Sequence, residues 1–79
     1  MWYIYILKSL STNKYYVGYS SNPNSRLILH NSGKVIATKN RGPWKLVYRE
    51  KFDSETSAIY RERQIKNWKS RTAIERLLF

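Results

Sequence analysis

The sequence contains no cysteine, a single histidine and only five acidic residues among its 79 positions. The absence of cysteine excludes disulfide bridges and thiolate metal sites, and one histidine cannot form the usual Cys/His zinc clusters. Five acids also argue against a two-metal catalytic centre, which needs several carboxylates close together. Because a chain without cysteine suits a reducing compartment, we expect a cytoplasmic protein.

Long apolar runs are also missing. No segment is long enough to span a bilayer. The apolar stretch 1–7 is too short for a secretory signal, and it lacks a basic leader and a small-residue cleavage site. We therefore expect one small domain covering residues 1–79, close to the size at which a single hydrophobic core is only just sufficient.

Basic residues are abundant instead. Fifteen Lys and Arg against five Asp and Glu give a net charge of +10. Such a chain attracts polyanions, and nucleic acid is favoured over a membrane surface because the charges are not gathered on one amphipathic helix. The alternative is that the charge only keeps the protein soluble.

Hydrophobic patterning predicts the elements of the first half. Trp2–Leu7 is apolar on both faces, which is typical of a strand covered on both sides, and a loop leads from it to a second strand, Tyr15–Tyr19. Asn22 and Pro23 are the N-cap and first residue of a predicted helix that ends near Gly33. A basic loop, 33–43, follows.

The second half predicts a strand and two helices. In the strand Trp44–Phe52 we expect Trp44, Leu46 and Tyr48 on one face and Lys45, Val47, Arg49 and Lys51 on the other. Asp53 or Ser54 is expected to cap the long helix that follows. Ser70 is expected to cap a last helix whose inward residues are Ala73, Ile74, Leu77 and Leu78.

Two features of this pattern carry chemistry. Near the turn between the second strand and the first helix, Tyr16, Arg26 and His30 bring together a phenol, a guanidinium and an imidazole. In the long helix, Glu62 lies on the apolar stripe formed by Ala58, Ile59, Ile65 and Trp68, where a carboxylate costs free energy unless it is paired or bound to a cation. Structural alternatives exist for both. The tyrosine and arginine could serve packing and solvation, and Arg26, Arg61 or Lys66 could form an ion pair with Glu62.

Together these residues resemble the motifs of the GIY-YIG nucleases. The first motif falls on Tyr3-Ile4-Tyr5 and the second on Tyr16-Val17-Gly18, with the two motif tyrosines eleven residues apart. The arginine, histidine and glutamate positions of the family fall on Arg26, His30 and Glu62. Tyr3 departs from the pattern, which has glycine there, although small single-domain members commonly tolerate this. Among them the chain is similar to the nuclease module of a bacterial excision-repair protein.

The resemblance implies an α+β fold, with a small, mostly antiparallel three-stranded sheet flanked by helices in the order β-β-α-β-α-α. It also implies one divalent ion, Mg²⁺ or Mn²⁺, on Glu62, with Tyr16 as general base and Arg26 stabilising charge on the phosphate. Tyr5 and His30 would shape the proton transfer. The residues expected to contact nucleic acid are Gly18, Lys34, Lys39, Arg41 and Lys66.

The function implied is that of a metal-dependent DNA endonuclease, structure-selective or weakly sequence-specific, acting in DNA repair or recombination on branched or damaged DNA. A protein partner that selects the target is also expected, because larger relatives use a second domain for this. The alternative is a nucleic-acid-binding module that does not cleave, or a nuclease subunit that needs a partner to complete its site.

Overall fold

The computed structural model describes residues 1–79 and consists of a three-stranded sheet, three α-helices and one short 3₁₀ turn. The elements are β1 (Trp2–Ser9), β2 (Tyr15–Ser20), α1 (Pro23–Asn31), the 3₁₀ turn Ile36–Thr38, β3 (Trp44–Phe52), α2 (Glu55–Trp68) and α3 (Arg71–Leu78). The sheet order is β2-β1-β3 and both strand pairs are antiparallel, which confirms the predicted α+β fold. None of the helices is long and apolar enough to cross a membrane.

β1 is the central strand, and it divides the interior into two small cores. On one face Ile4 and Ile6 pack with Val17 of β2 and with Ala58 and Ile65 of α2. On the other face a second cluster forms around Tyr5, Leu7 and Trp44. This arrangement explains the continuous apolar run of β1, because a strand buried on both faces needs apolar residues at every position.

Local signals place α1 as predicted. The Asn22 side chain accepts a hydrogen bond from the Ser25 backbone N–H, and Pro23 occupies the first turn. At the other end, Gly33 has a φ of 77°, its N–H donates to the His30 carbonyl, and the N–H of residue 34 donates to the carbonyl of residue 29. This is a Schellman cap, in which the left-handed residue is usually glycine. The cap fixes His30 in the last turn of α1.

The predicted caps of the other helices are also present. Ser54, rather than Asp53, caps α2 by accepting from the Ser57 N–H, and Ser70 caps α3 by accepting from the Ala73 N–H. The residues expected to face inward on α3 are only half-buried, although Ile74 and Leu77 pack against the first core.

The predicted faces of β3 are wrong beyond Leu46. Leu46 pairs with Leu7 and Tyr48 pairs with Ile6, so Val47 is an extra residue that forms a β-bulge. One extra residue reverses the alternation of side chains. Trp44 and Leu46 therefore pack in the second core, whereas Tyr48 packs against the first core on the opposite face.

Candidate active site

Five of the predicted site residues line one cleft of about 340 Å³: Tyr5, Tyr16, Gly18, Arg26 and Glu62. They come from four elements, with Tyr5 on β1, Tyr16 and Gly18 on β2, Arg26 on α1 and Glu62 on α2. The other lining residues are Trp2, Tyr19, Ser20 and Ser21. The fold thus brings together two phenols, a guanidinium and a carboxylate that are far apart in the sequence.

The two motif tyrosines are diagonal neighbours on adjacent strands. Tyr5 lies directly opposite Gly18, and Tyr16 lies opposite Leu7. The centroids of the two tyrosine rings are 6.4 Å apart. Diagonal positions on an antiparallel pair are within reach of aromatic side chains, so the sheet register alone explains this contact.

Gly18 makes room for the Tyr5 ring. A Cβ atom on Gly18 would lie 2.6 Å from Tyr5 Oη and 2.7 Å from Tyr5 Cζ, which is closer than side chains can approach. Packing against Tyr5 is therefore enough to explain why residue 18 is glycine, without any contact to a ligand. A direct contact of Gly18 with nucleic acid stays a prediction.

His30 lies behind Tyr5 and does not line the cleft. It is 2% exposed, with Nε2 2.9 Å from Tyr5 Oη and Nδ1 2.8 Å from Thr38 Oγ1. Because the Thr38 hydroxyl donates to the Val35 carbonyl, it accepts from His30 Nδ1–H. His30 Nε2 is then unprotonated and accepts a hydrogen bond from the Tyr5 hydroxyl.

The electrostatics of this pair keep both side chains neutral. Burial, and then the nearby Arg26 guanidinium, lower the pKa of His30 to about 4. Burial also raises the pKa of Tyr5, against an opposing hydrogen bond from Arg26. Near pH 7, His30 is therefore a neutral acceptor that holds the Tyr5 hydroxyl in place.

Glu62, which lines the cleft, has one cationic partner. Its Oε1 lies 3.4 Å from Lys66 Nζ, and the two side chains are 14% and 48% exposed. Of the three partners considered from the sequence, Lys66 is the one that forms the ion pair, because Arg61 pairs with Glu50. The Lys66 ammonium also lies 5.7 Å from the centroid of the Tyr16 ring.

The residues of the cleft could hold one divalent ion through a single carboxylate. No group of three or more acidic or histidine side chains could hold a metal in this chain. Mg²⁺ is commonly bound through one or two carboxylates together with waters and substrate phosphates. A single, partly exposed Glu62 beside an open cleft suits that kind of binding, and it excludes an all-protein cage.

Glu50 supports the site, a role that the sequence did not indicate. Its carboxylate accepts two hydrogen bonds from Arg61, at 2.8 and 3.0 Å, and another from the Tyr48 hydroxyl. These hydrogen bonds hold the pKa of Glu50 below its usual range although burial acts to raise it. The pair joins α2 to β3 one residue before Glu62 and so fixes which side of α2 faces the cleft. The bulge at Val47 places Glu50 and Tyr48, and no sequence signal marked it.

The predicted basic loop lies away from the cleft. Lys34, Lys39 and Arg41 are exposed and do not line the cleft. The loop borders a polar cavity of about 510 Å³ whose lining includes His30 and Thr38. Contact of these three cations with nucleic acid stays a prediction, on a different part of the surface from the cleft.

The fold and the cleft define a GIY-YIG domain. The chain belongs to this family, because the family model described as the GIY-YIG catalytic domain matches residues 1–75. The resemblance drawn from the sequence motifs is thereby confirmed.

Within the family the chain is similar to UPF0213 proteins. It is 43% identical over 67 residues to one from Staphylococcus haemolyticus, covering 84% of this chain and 80% of that one. It is 39% identical over 77 residues to one from Natronomonas pharaonis, covering 96% and 88%. The solution NMR structure of a UPF0213 protein from Bacillus halodurans matches with a TM-score of 0.60 at 35% identity, over 98% of this chain and 82% of that chain.

Proposed function

We propose that this protein is a metal-dependent endonuclease that hydrolyses phosphodiester bonds in DNA. The observation that carries the proposal is the cleft itself, where Tyr16, Arg26 and Glu62 meet although they come from three different elements. A base, a cation for the phosphate and a carboxylate are the groups that phosphodiester hydrolysis requires. Membership of the GIY-YIG family supports the same chemistry.

In the proposed mechanism Arg26 binds the non-bridging oxygens of the scissile phosphate. A guanidinium offers several N–H donors in a fixed plane, so it can stabilise the charge that develops as the P–O bond breaks. Arg26 lines the same cleft as Tyr5 and Glu62, so its guanidinium is available to a phosphate bound there.

Tyr16 accepts the proton of the attacking water, either as a phenolate or by passing its own hydroxyl proton on as it takes up the new one. It is half-buried and lines the cleft, and its ring packs 4.8 Å from the His30 ring. Tyr5 has a different role, because its hydroxyl already donates to His30. Tyr5 therefore orients the attacking water by accepting a hydrogen bond from it, and it has no free hydroxyl proton to donate to the phosphate.

Glu62 holds the divalent ion, Mg²⁺ or Mn²⁺, which when bound supplies positive charge at the phosphate. Lys66 neutralises Glu62 when no ion is present. Because the Lys66 side chain is 48% exposed, it can turn towards solvent or towards a phosphate at little cost.

The proposed substrate is branched or damaged DNA, cut in a structure-selective or weakly sequence-specific way during repair or recombination in the cytoplasm. The resemblance of the sequence motifs to the nuclease module of an excision-repair protein supports this setting. The second candidate is a binding module, or a subunit completed by a protein partner. The charge of +10 supports it, since charge alone gives nucleic-acid affinity without cleavage.

One experiment separates the two candidates. Purified protein is incubated with nicked, branched, single-stranded and duplex DNA, with and without Mg²⁺ or Mn²⁺, beside Glu62→Gln and the matched control Glu55→Gln in the first turn of the same helix. The nuclease predicts metal-dependent cleavage by the parent and the control, and none by Glu62→Gln.

Thermal unfolding of the same samples controls for folding. The Glu62–Lys66 pair has one half-exposed partner, so its loss is expected to cost about 0 to 1 kcal/mol. Cleavage that persists in Glu62→Gln removes Glu62 from the site. Metal-independent DNA binding without any cleavage supports the binding module.

A further inference from the structure

A second cavity lies on the other side of Tyr16, between the edge strand β2 and the junction of α2 with α3. It has a volume of about 440 Å³. Lys14, Lys66, Lys69 and Arg71 contribute its cations, and Tyr15, Tyr16, Val17, Ile65 and Ile74 contribute its apolar surface. We call this cavity, with these nine residues and Ser70, the basic groove.

The basic groove adjoins the active-site cleft at Tyr16. Tyr16 lines both cavities. Lys66 lines the groove and pairs with Glu62, which lines the cleft. Tyr16 and the Glu62–Lys66 pair therefore separate the groove from the cleft by no more than one layer of side chains.

The groove carries an excess of positive charge. Lys14 and Lys69 are exposed and form no ion pair, whereas Lys66 and Arg71 each pair with a carboxylate one turn away, at 3.4 and 3.5 Å. The partner of Arg71 is Glu75, and no acidic residue lines the groove. A cation at a helix C-terminus is common, so Lys69 alone would mean little. Four cations around aromatic and aliphatic surface are a different arrangement.

The Tyr15 ring is held as a fixed part of the groove wall. Its hydroxyl donates to Glu75 Oε2 at 3.0 Å, and the Arg71 guanidinium carbon lies 4.7 Å from the ring centroid. Arg71 also donates to the Asn13 carbonyl in the β1–β2 loop. These contacts hold the Tyr15 ring in place beside the cations of the groove.

Resting on the proposed function, we propose that the basic groove binds an unpaired nucleic-acid strand leading to or from the scissile phosphate. A single strand can place its phosphates on the cations and its bases against the aliphatic floor and beside the tyrosine side chains, whose rings Arg71 and Lys66 partly cover. A duplex keeps its bases stacked inside and would leave the apolar floor uncovered. The basic loop with Lys34, Lys39 and Arg41 contains no aromatic residue, so it offers cations for phosphates but no aromatic surface for bases.

The test measures binding without metal, in EDTA, by fluorescence anisotropy. The probes are a labelled oligothymidylate of about 12 nucleotides and a duplex of the same length. The groove variant combines Lys14→Ala with Lys69→Asn, because Lys69 has a φ of 48° and asparagine tolerates that conformation. The matched control combines Lys51→Ala with Arg63→Ala, two exposed cations that line neither cavity.

The groove variant is expected to lose about tenfold in affinity for the single strand, with the slope of log K against log salt shallower by about 1.4, while the control changes less than about twofold. An equal loss for both variants overturns the proposal, since it would reflect net charge alone. An equal loss for single strand and duplex also overturns it, as does a parent that does not bind the oligothymidylate.

Photocrosslinking adds a readout of position. Oligonucleotides carrying 5-bromouracil are expected to crosslink to peptides that contain Tyr15 or Tyr16, and crosslinks confined to the loop 33–43 contradict the proposal. Because both measurements omit metal, they are independent of the proposed cleavage. If the groove binds the single strand but the protein never cleaves, the groove proposal is supported and the nuclease proposal is contradicted. If the protein cleaves with metal but the groove variant binds the single strand as the parent does, the groove proposal is contradicted.

Discussion

The Tyr5 ring fills the space where a side chain on Gly18 would stand, directly across the strand pair β1–β2. Tyr5 is 1% exposed, so its ring is packed by other side chains over nearly all of its surface. The two family motifs are therefore complementary in shape. The second motif ends in glycine because the first motif ends in tyrosine.

Gly18→Ala is expected to destabilise the protein by about 1 to 3 kcal/mol, the usual cost of overpacking a filled interior. Tyr5→Phe should not rescue it, because Cζ would still lie 2.7 Å from the new methyl group. Denaturant unfolding measures both variants. Gly33→Ala is a useful comparison, since its strain comes from a φ of 77° in open space and leaves Tyr5 untouched. A neutral Gly18→Ala would show that the ring moves freely.

The stability of the fold is expected to decrease as pH falls from about 6.5 to 4. His30 has a pKa of about 4 in the folded protein and an ordinary value of 6.5, so the unfolded chain binds the proton first. The free energy of unfolding then falls by at most about 1.4 kcal/mol per pH unit in this window. Unfolding of the parent and of His30→Gln at a series of pH values measures the difference.

NMR titration of the imidazole gives an independent check, because His30 is the only histidine. Its ring resonances should stay unchanged until the pH is well below 6. A midpoint near 6.5 would contradict the buried, neutral assignment.

Tyr16→Phe is expected to lower the cleavage rate by roughly 10² to 10⁴, the range for a lost general base. The fold should survive, since the ring contacts with His30 and Lys66 do not involve the hydroxyl. Tyr19→Phe is the matched control, because Tyr19 lines the same cleft without an assigned role. Single-turnover cleavage compares them. Normal cleavage by Tyr16→Phe would reassign the base to Tyr5.

Replacing Lys34, Lys39 and Arg41 together with alanine is expected to weaken DNA binding and make its salt dependence shallower by about 2 to 3. Stability should not change, because the three side chains are exposed. The backbone carbonyl of Arg41, which accepts from Ser9 and Ser11, is retained in the variant. Salt titrations and thermal unfolding test the two statements separately. Unfolding of the variant would mean that the loop is structural, and unchanged binding would place DNA elsewhere.

Local chemistry explains what could be predicted from the sequence. The caps at Asn22, Ser54 and Ser70 depend on side chains within three residues of the helix start, so they are readable without tertiary contacts. The unusual position of Glu62 could likewise be recognised from the sequence, because this acid interrupts an apolar stripe at helical spacing.

The unpredicted features depend on contacts between distant elements. The bulge at Val47 lies in a run of three apolar residues, where alternation gives no sign of an inserted position. Thr38 is buried in a loop that reads as polar, because only the folded chain shows that it accepts a hydrogen bond from His30. The groove beside β2 depends on where α3 docks, and no local pattern fixes that.

The burial of Tyr5 also limits how the sequence of this protein could evolve. Tyr5 belongs to the second core and Tyr16 packs against it, so replacing either tyrosine would damage folding as well as chemistry. Arg26 and Glu62 belong to neither core. A descendant that kept DNA binding and abandoned cleavage is therefore expected to retain both motif tyrosines and to diverge first at the arginine and the glutamate.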